Sequence, residues 1–76
     1  LRFFTAATRP ERTYGLTPRE YEILCLMAEG KPQKRIAAEL AVSPHTVDNH
    51  LRQIYRKLHV KSNLEAIAKA YRERLV

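Results

Sequence analysis

Apolar residues recur at helical spacing in four stretches of the chain, separated by short polar breaks that contain proline, glycine or serine. In the first, residues 17–29, Ile23, Leu24, Met27 and Ala28 share one face of a predicted helix and Gly30 ends it. Thr17-Pro18-Arg19-Glu20 supplies its start: Thr17 caps, Pro18 suits the first helical position, and Glu20 returns the capping-box hydrogen bond. Leu16, just before the cap, is placed to act as a hydrophobic staple. A second, shorter helix is predicted over residues 33–40, with Ile36, Ala37 and Leu40 inward. Ala41-Val42-Ser43 then forms a tight turn whose corner Val42 fills.

Ser43 and Pro44 are the cap and first position of a third helix, predicted over residues 43–59. At about 100° per residue, Val47, Leu51, Ile54, Tyr55 and Leu58 fall within an arc of about 100°. His45, Asn49, Arg52 and Arg56 project from the opposite side, with Thr46, Gln53 and Lys57 on one flank. A short helix, a three-residue turn and a longer helix with polar outward residues make a helix-turn-helix pattern.

Ser62-Asn63-Leu64-Glu65 is a second capping box, opening a last helix expected to reach residue 74. Ala66, Ile67 and Ala70 occupy one sector of that helix and Leu64, Ala68, Tyr71 and Leu75 the adjoining one. Together they form an apolar arc of about 200°, wider than one small core requires. Leu64, Ala68, Tyr71 and Leu75 are therefore either a self-association seam or a face covered by the N-terminal arm. Residues 1–15 lack a sustained period and are read as a linker or arm, with Phe3, Phe4 and Tyr14 available to pack on the domain or on a neighbour. The predicted fold is all-α: an irregular arm, then a four-helix, bundle-like domain over residues 16–76 that contains the helix-turn-helix.

Seventy-six residues make one domain with a small core, and leave no room for a large ligand cavity. Fourteen Lys and Arg against eight Asp and Glu give a formal charge of +6, which favours a polyanionic partner. The basic residues do not face a bulky lipid-directed stripe, so nucleic acid fits better than a membrane surface. Cys25 is the only cysteine, which excludes an intrachain disulfide and suits a reducing, cytoplasmic setting. No apolar run reaches membrane-spanning length and no secretory signal is visible. The first residue is Leu rather than Met, so the chain reads as a fragment whose regulatory part is absent.

Enzymatic chemistry finds no constellation here. Glu20, Glu22 and Glu29 read as a solvated face, and Cys25 lies on a mainly apolar helix with no evident basic partner. His45 and His50 stand about 140° apart on their helix, and His45 and His59 about 21 Å apart along it, so they cannot share a metal ion. No cofactor is expected.

The spaced residues Leu16-Thr17-Pro18-Arg19-Glu20, Glu22, Leu24, Ala28, Gly30, Lys34, Ile36-Ala37, Leu40, Val42-Ser43, Thr46-Val47, His50, Ile54, Lys57-Leu58, Val60 and Glu65-Ala66 resemble the LuxR/NarL/FixJ-type DNA-binding domain. The resemblance covers residues 16–71. It implies a four-helix domain whose third helix enters the major groove, as the output end of a transcription regulator. It also implies an N-terminal receiver or signal-binding domain and a dimer contact through the last helix. Three positions depart from the family pattern. Asp48 stands where a basic residue is common, Asn63 where Arg is frequent, and Pro32 where a capping Ser is frequent, so the second helix should start less crisply.

Within this frame Asn49 and Arg52 are expected at base edges, Asn toward adenine and Arg toward guanine, with His45 and Asp48 as further candidates. Asp48 would either accept from a cytosine amino group or orient Arg52 one turn later. Thr46, His50, Gln53, Arg56, Lys57, Lys34 and Lys61 are expected at phosphates, with plain solvation an equal reading for Lys34 and Arg35. A homodimer would read paired half-sites spaced near one helical turn. Two alternatives keep the fold and change the partner: a sigma-factor region-4-like promoter module, and a helix-turn-helix used for protein interaction.

Overall fold

The protein's structure, a computed structural model, describes residues 14–76 and places a helix on each of the four periodic stretches. They are α1 (Pro18–Ala28), α2 (Gln33–Leu40), α3 (Pro44–Leu58) and α4 (Asn63–Arg72), with no strand among the described residues. Phe3, Phe4 and most of the expected arm lie outside the described residues.

The helix starts follow their sequence signals closely. Thr17 Oγ1 accepts from the Glu20 N–H at 3.1 Å, and Glu20 Oε1 accepts from the Thr17 N–H at 3.0 Å, completing the first capping box. Ser43 Oγ accepts from the Thr46 N–H at 3.1 Å at the start of α3. Pro32 precedes α2 without any side-chain cap, as its ring dictates. The second expected capping box is only half formed. Ser62 Oγ accepts from the Glu65 N–H at 3.2 Å, but the Glu65 carboxylate takes the Lys61 N–H at 3.0 Å instead of returning to Ser62.

All four helices end by the same reversal. Gly30, Ala41, His59 and Arg74 adopt left-handed backbone at φ 90°, 58°, 61° and 57°. The next residue then donates its N–H back five positions: Lys31 to Leu26, Val42 to Ala37, Val60 to Tyr55 and Leu75 to Ala70, at 2.8 to 3.2 Å. In the last three cases the reversal also turns an apolar side chain inward onto the core.

α1 lies against all three other helices, which explains why it is buried well beyond one face. Ile23 and Leu24 are fully enclosed with Ile36, Val47, Ile54 and Leu58, and Tyr21, Cys25, Leu26 and Met27 are buried as well. Glu20 is buried too, at 5 % exposure, so the expected solvated acidic face does not include it. Leu75 is the second correction. The wheel reading takes the last helix to residue 74 and counts Leu75 on its arc, but α4 stops at Arg72, and the reversal at Arg74 sends Leu75 into the core at 5 % exposure. Its carbonyl there accepts a 2.6 Å hydrogen bond from the Tyr21 hydroxyl. Leu75 is thus a core residue and not part of an outward seam.

Candidate nucleic-acid interface

α3 separates its two roles by side. Val47, Leu51, Ile54 and Leu58 are buried against the other helices, with Tyr55 half-buried at the edge of that stripe. His45, Asn49, Arg52 and Arg56 are exposed, and Thr46, Asp48, His50 and Gln53 are half-buried between the two sides. Burial raises the Tyr55 phenol above its ordinary pKa, and the negative charge of Asp48 adds to the shift.

Neighbouring elements fix this helix at both ends. At its start, the Gln33 amide on α2 donates to the Pro44 carbonyl at 3.1 Å, tying together the openings of the two helix-turn-helix elements. At its end, Lys69 on α4 donates to the Leu58 carbonyl at 2.8 Å. A cation there satisfies an orphan carbonyl and opposes the negative end of the helix dipole, an effect reinforced by Arg56 and Lys57 in the last turn. Neither Gln33 nor Lys69 carried a pattern that marked these contacts, because both are made across elements by flexible polar side chains.

The expected base-edge residues are brought together: Asn49 and Arg52 share the exposed face with His45, and Arg52 Nη2 sits 3.2 Å from Asp48 Oδ2. Of the residues expected at phosphates, Lys34 and Lys61 are exposed, and the Arg56 guanidinium donates to the Gln53 side-chain oxygen. Thr46 is partly engaged with the cap, its hydroxyl 3.0 Å from Ser43 Oγ. Arg35 is paired with Glu39 at 3.1 Å, and Lys31 joins the same carboxylate at 2.9 Å.

Lys57 is placed differently from the expectation. Its ammonium donates to Glu20 Oε1 at 2.7 Å and to the Gly15 carbonyl at 3.1 Å, so its charge is directed into the domain instead of toward a phosphate. Tyr14, read as the end of the arm, is also held on the domain. Its hydroxyl donates to the Glu73 carboxylate and Lys69 Nζ lies 4.9 Å from its ring centroid. The hydrogen bond to Glu73 raises the Tyr14 phenol above its ordinary pKa.

On the last helix, Leu64 and Tyr71 are exposed at 75 % and 57 %, and Ala68 is exposed beside them. The Tyr71 hydroxyl donates to the Ala28 carbonyl at 2.5 Å, laying the ring along the end of α1. No group of three or more metal-ligating side chains occurs among the described residues, and no described helix is long and apolar enough to cross a membrane.

Residues 14–70 match the family model described as bacterial regulatory proteins, luxR family. The chain is similar to the transcriptional regulatory protein LiaR of Bacillus subtilis, 48% identical over 62 residues that cover 82% of this chain and 29% of that protein. It is also similar to the nitrate/nitrite response regulator protein NarL of Escherichia coli, 39% identical over 69 residues, 91% of this chain and 32% of that protein. The transcriptional regulatory protein DesR of Bacillus subtilis is 47% identical over 55 residues, 72% of this chain and 28% of that protein. The chain therefore spans about a third of the length of these curated relatives.

Proposed function

Because the chain belongs to the luxR family of bacterial regulatory proteins, we propose that it binds double-stranded DNA sequence-specifically as the output domain of a transcription regulator, with α3 in the major groove. One observation carries the reading: α3 is locked by Val47, Leu51, Ile54 and Leu58 while Asn49, Arg52 and Arg56 stand exposed on its far side, in a chain of net charge +6. Asn49 and Arg52 face base edges, with His45 and Asp48 beside them, and Thr46, His50, Gln53, Arg56, Lys34 and Lys61 fix register on phosphates. The exposed Leu64, Ala68 and Tyr71 of α4 supply the contact of a homodimer on paired half-sites. A regulatory domain N-terminal to this chain accords with relatives of which it spans about a third, and the setting proposed is cytoplasmic.

Sites selected from a random DNA pool, followed by titration of binding against salt, test this reading. With several phosphates neutralised, affinity should fall by roughly a thousandfold between about 50 and 200 mM salt. Arg52→Ala should lose about 1–3 kcal/mol on the selected site and little on unrelated duplexes. A flat salt profile would sink the DNA reading, and an equal loss on every sequence would reduce Arg52 to a phosphate contact.

A further inference from the structure

Asp48 is the only acidic residue on α3, and it stands at the flank of the side proposed to meet a polyanion. Its Oδ2 lies 3.2 Å from Arg52 Nη2 one turn later, with the arginine side chain 73% exposed and the aspartate 40%. As a contribution to folding, an exposed i,i+4 pair changes the equilibrium only by roughly twofold. Against phosphates the same carboxylate is repelled and offsets the attraction that Arg52 would offer alone. Neither fold stability nor general affinity therefore accounts for a carboxylate at this point.

The chemistry of the groove supplies a use for it. On major-groove edges the hydrogen-bond donors are cytosine N4 and adenine N6, while guanine N7 and O6 are two adjacent acceptors. Across one G·C pair the edge thus reads acceptor, acceptor, donor. A guanidinium joined to a carboxylate presents the complementary order as one unit, donors to N7 and O6 and an acceptor to N4. An A·T pair reads acceptor, donor, acceptor, which leaves the guanidinium without two adjacent acceptors. The ion pair also draws Arg52 toward the N-terminal half of α3, the part of a recognition helix that approaches bases most closely.

We propose that Asp48 and Arg52 form a composite reader of guanine together with a cytosine amino group, in which Asp48 supplies discrimination at the expense of general affinity. The proposal rests on the DNA-binding function above and assigns that site its base preference. Asp48 lowers binding to DNA at large, and recovers the loss only where a base amine meets its carboxylate.

The test compares the chain with Asp48→Ala and Asp48→Asn on three duplexes at one salt concentration: a pool-selected site, that site with its G·C pair replaced by A·T, and an unrelated sequence. Alanine favours the helix at this half-buried position, which is outside the core, so the variant keeps its fold, which far-ultraviolet circular dichroism verifies. For the parent chain the G·C-to-A·T replacement should cost about tenfold or more in affinity. Asp48→Ala should bind the unrelated duplex about threefold to tenfold more tightly, and its G·C-to-A·T penalty should fall to about threefold. Asp48→Asn, which removes the charge but keeps an acceptor, should gain the same nonspecific affinity and retain part of the penalty. If both variants hold all three duplexes in the parent's ratios, Asp48 is no reader although the DNA-binding reading stands. If the parent binds none of the duplexes at low salt, both readings fall together.

Discussion

Glu20 serves two elements at once. It closes the cap of α1 through the Thr17 N–H and receives the Lys57 ammonium from the end of α3 at 2.7 Å, with its own side chain only 6% exposed. Burial pushes its carboxyl pKa up, but the hydrogen bonds from Lys57 and the Thr17 N–H, with the Lys57 charge, outweigh that and hold it below the ordinary 4.5. A carboxylate with a depressed folded-state pKa stabilises fully above its unfolded value, and the contribution is lost as pH falls through the folded one. Glu20→Gln should therefore cost about 1–3 kcal/mol near neutral pH, and the gap to the parent chain should close as pH falls below the ordinary 4.5 and through the depressed folded-state pKa. Urea midpoints across that range measure it. Glu39, also depressed by Lys31, is present in both chains and cancels in the difference. A gap that stays constant into acid would refute the charge-based account. The capping role of Glu20 was legible from its spacing to Thr17, but its burial was not, because the partner lies 37 residues away and was itself read as a phosphate contact.

At the scale of elements, starts were easier to read than ends. Thr17, Ser43 and Ser62 announce their helices through side-chain oxygens that a local pattern reveals, and all three accept the expected backbone N–H. The ends rely on left-handed residues, and only Gly30 of the four carries the residue type that advertises such a turn. Ala41 and His59 bear a Cβ in that conformation, held there by the inward pull of Val42 and Val60. An L-residue in left-handed backbone costs about 1–2 kcal/mol, part of which glycine recovers after its own entropic cost. Ala41→Gly should accordingly stabilise the chain by about 0.5–1 kcal/mol and raise the thermal midpoint by a few degrees, read by calorimetry. A lowered midpoint would mean that the Ala41 methyl contributes contacts outweighing the backbone strain. The same hidden reversal at Arg74 turned Leu75 from an apparent seam residue into a core residue.

For the whole molecule, the proposed function requires that one small domain read enough DNA. Docked as proposed, a single α3 would span only a few base pairs, so twofold pairing is the economical way to lengthen the site. The wide apolar arc of α4 was legible in the sequence, and with Leu75 withdrawn it still leaves Leu64 at 75 % and Tyr71 at 57 % exposure, with Ala68 exposed between them. Tyr71 already donates to the Ala28 carbonyl, so changing it would disturb the fold as well as the surface. Leu64, one residue into α4 and exposed, is the cleaner probe. Leu64→Glu should leave stability within about 0.5 kcal/mol of the parent, since it removes no core contact and places an acid in the first turn of a helix. Affinity for an isolated half-site should also be unchanged. On two half-sites spaced one helical turn apart the variant should bind about tenfold more weakly, because a charge at the centre of an apolar contact removes the cooperative gain. Sedimentation of the protein–DNA complex should show one copy bound where the parent places two. Undiminished binding to the paired site, with two copies seated, would move the dimer contact off α4.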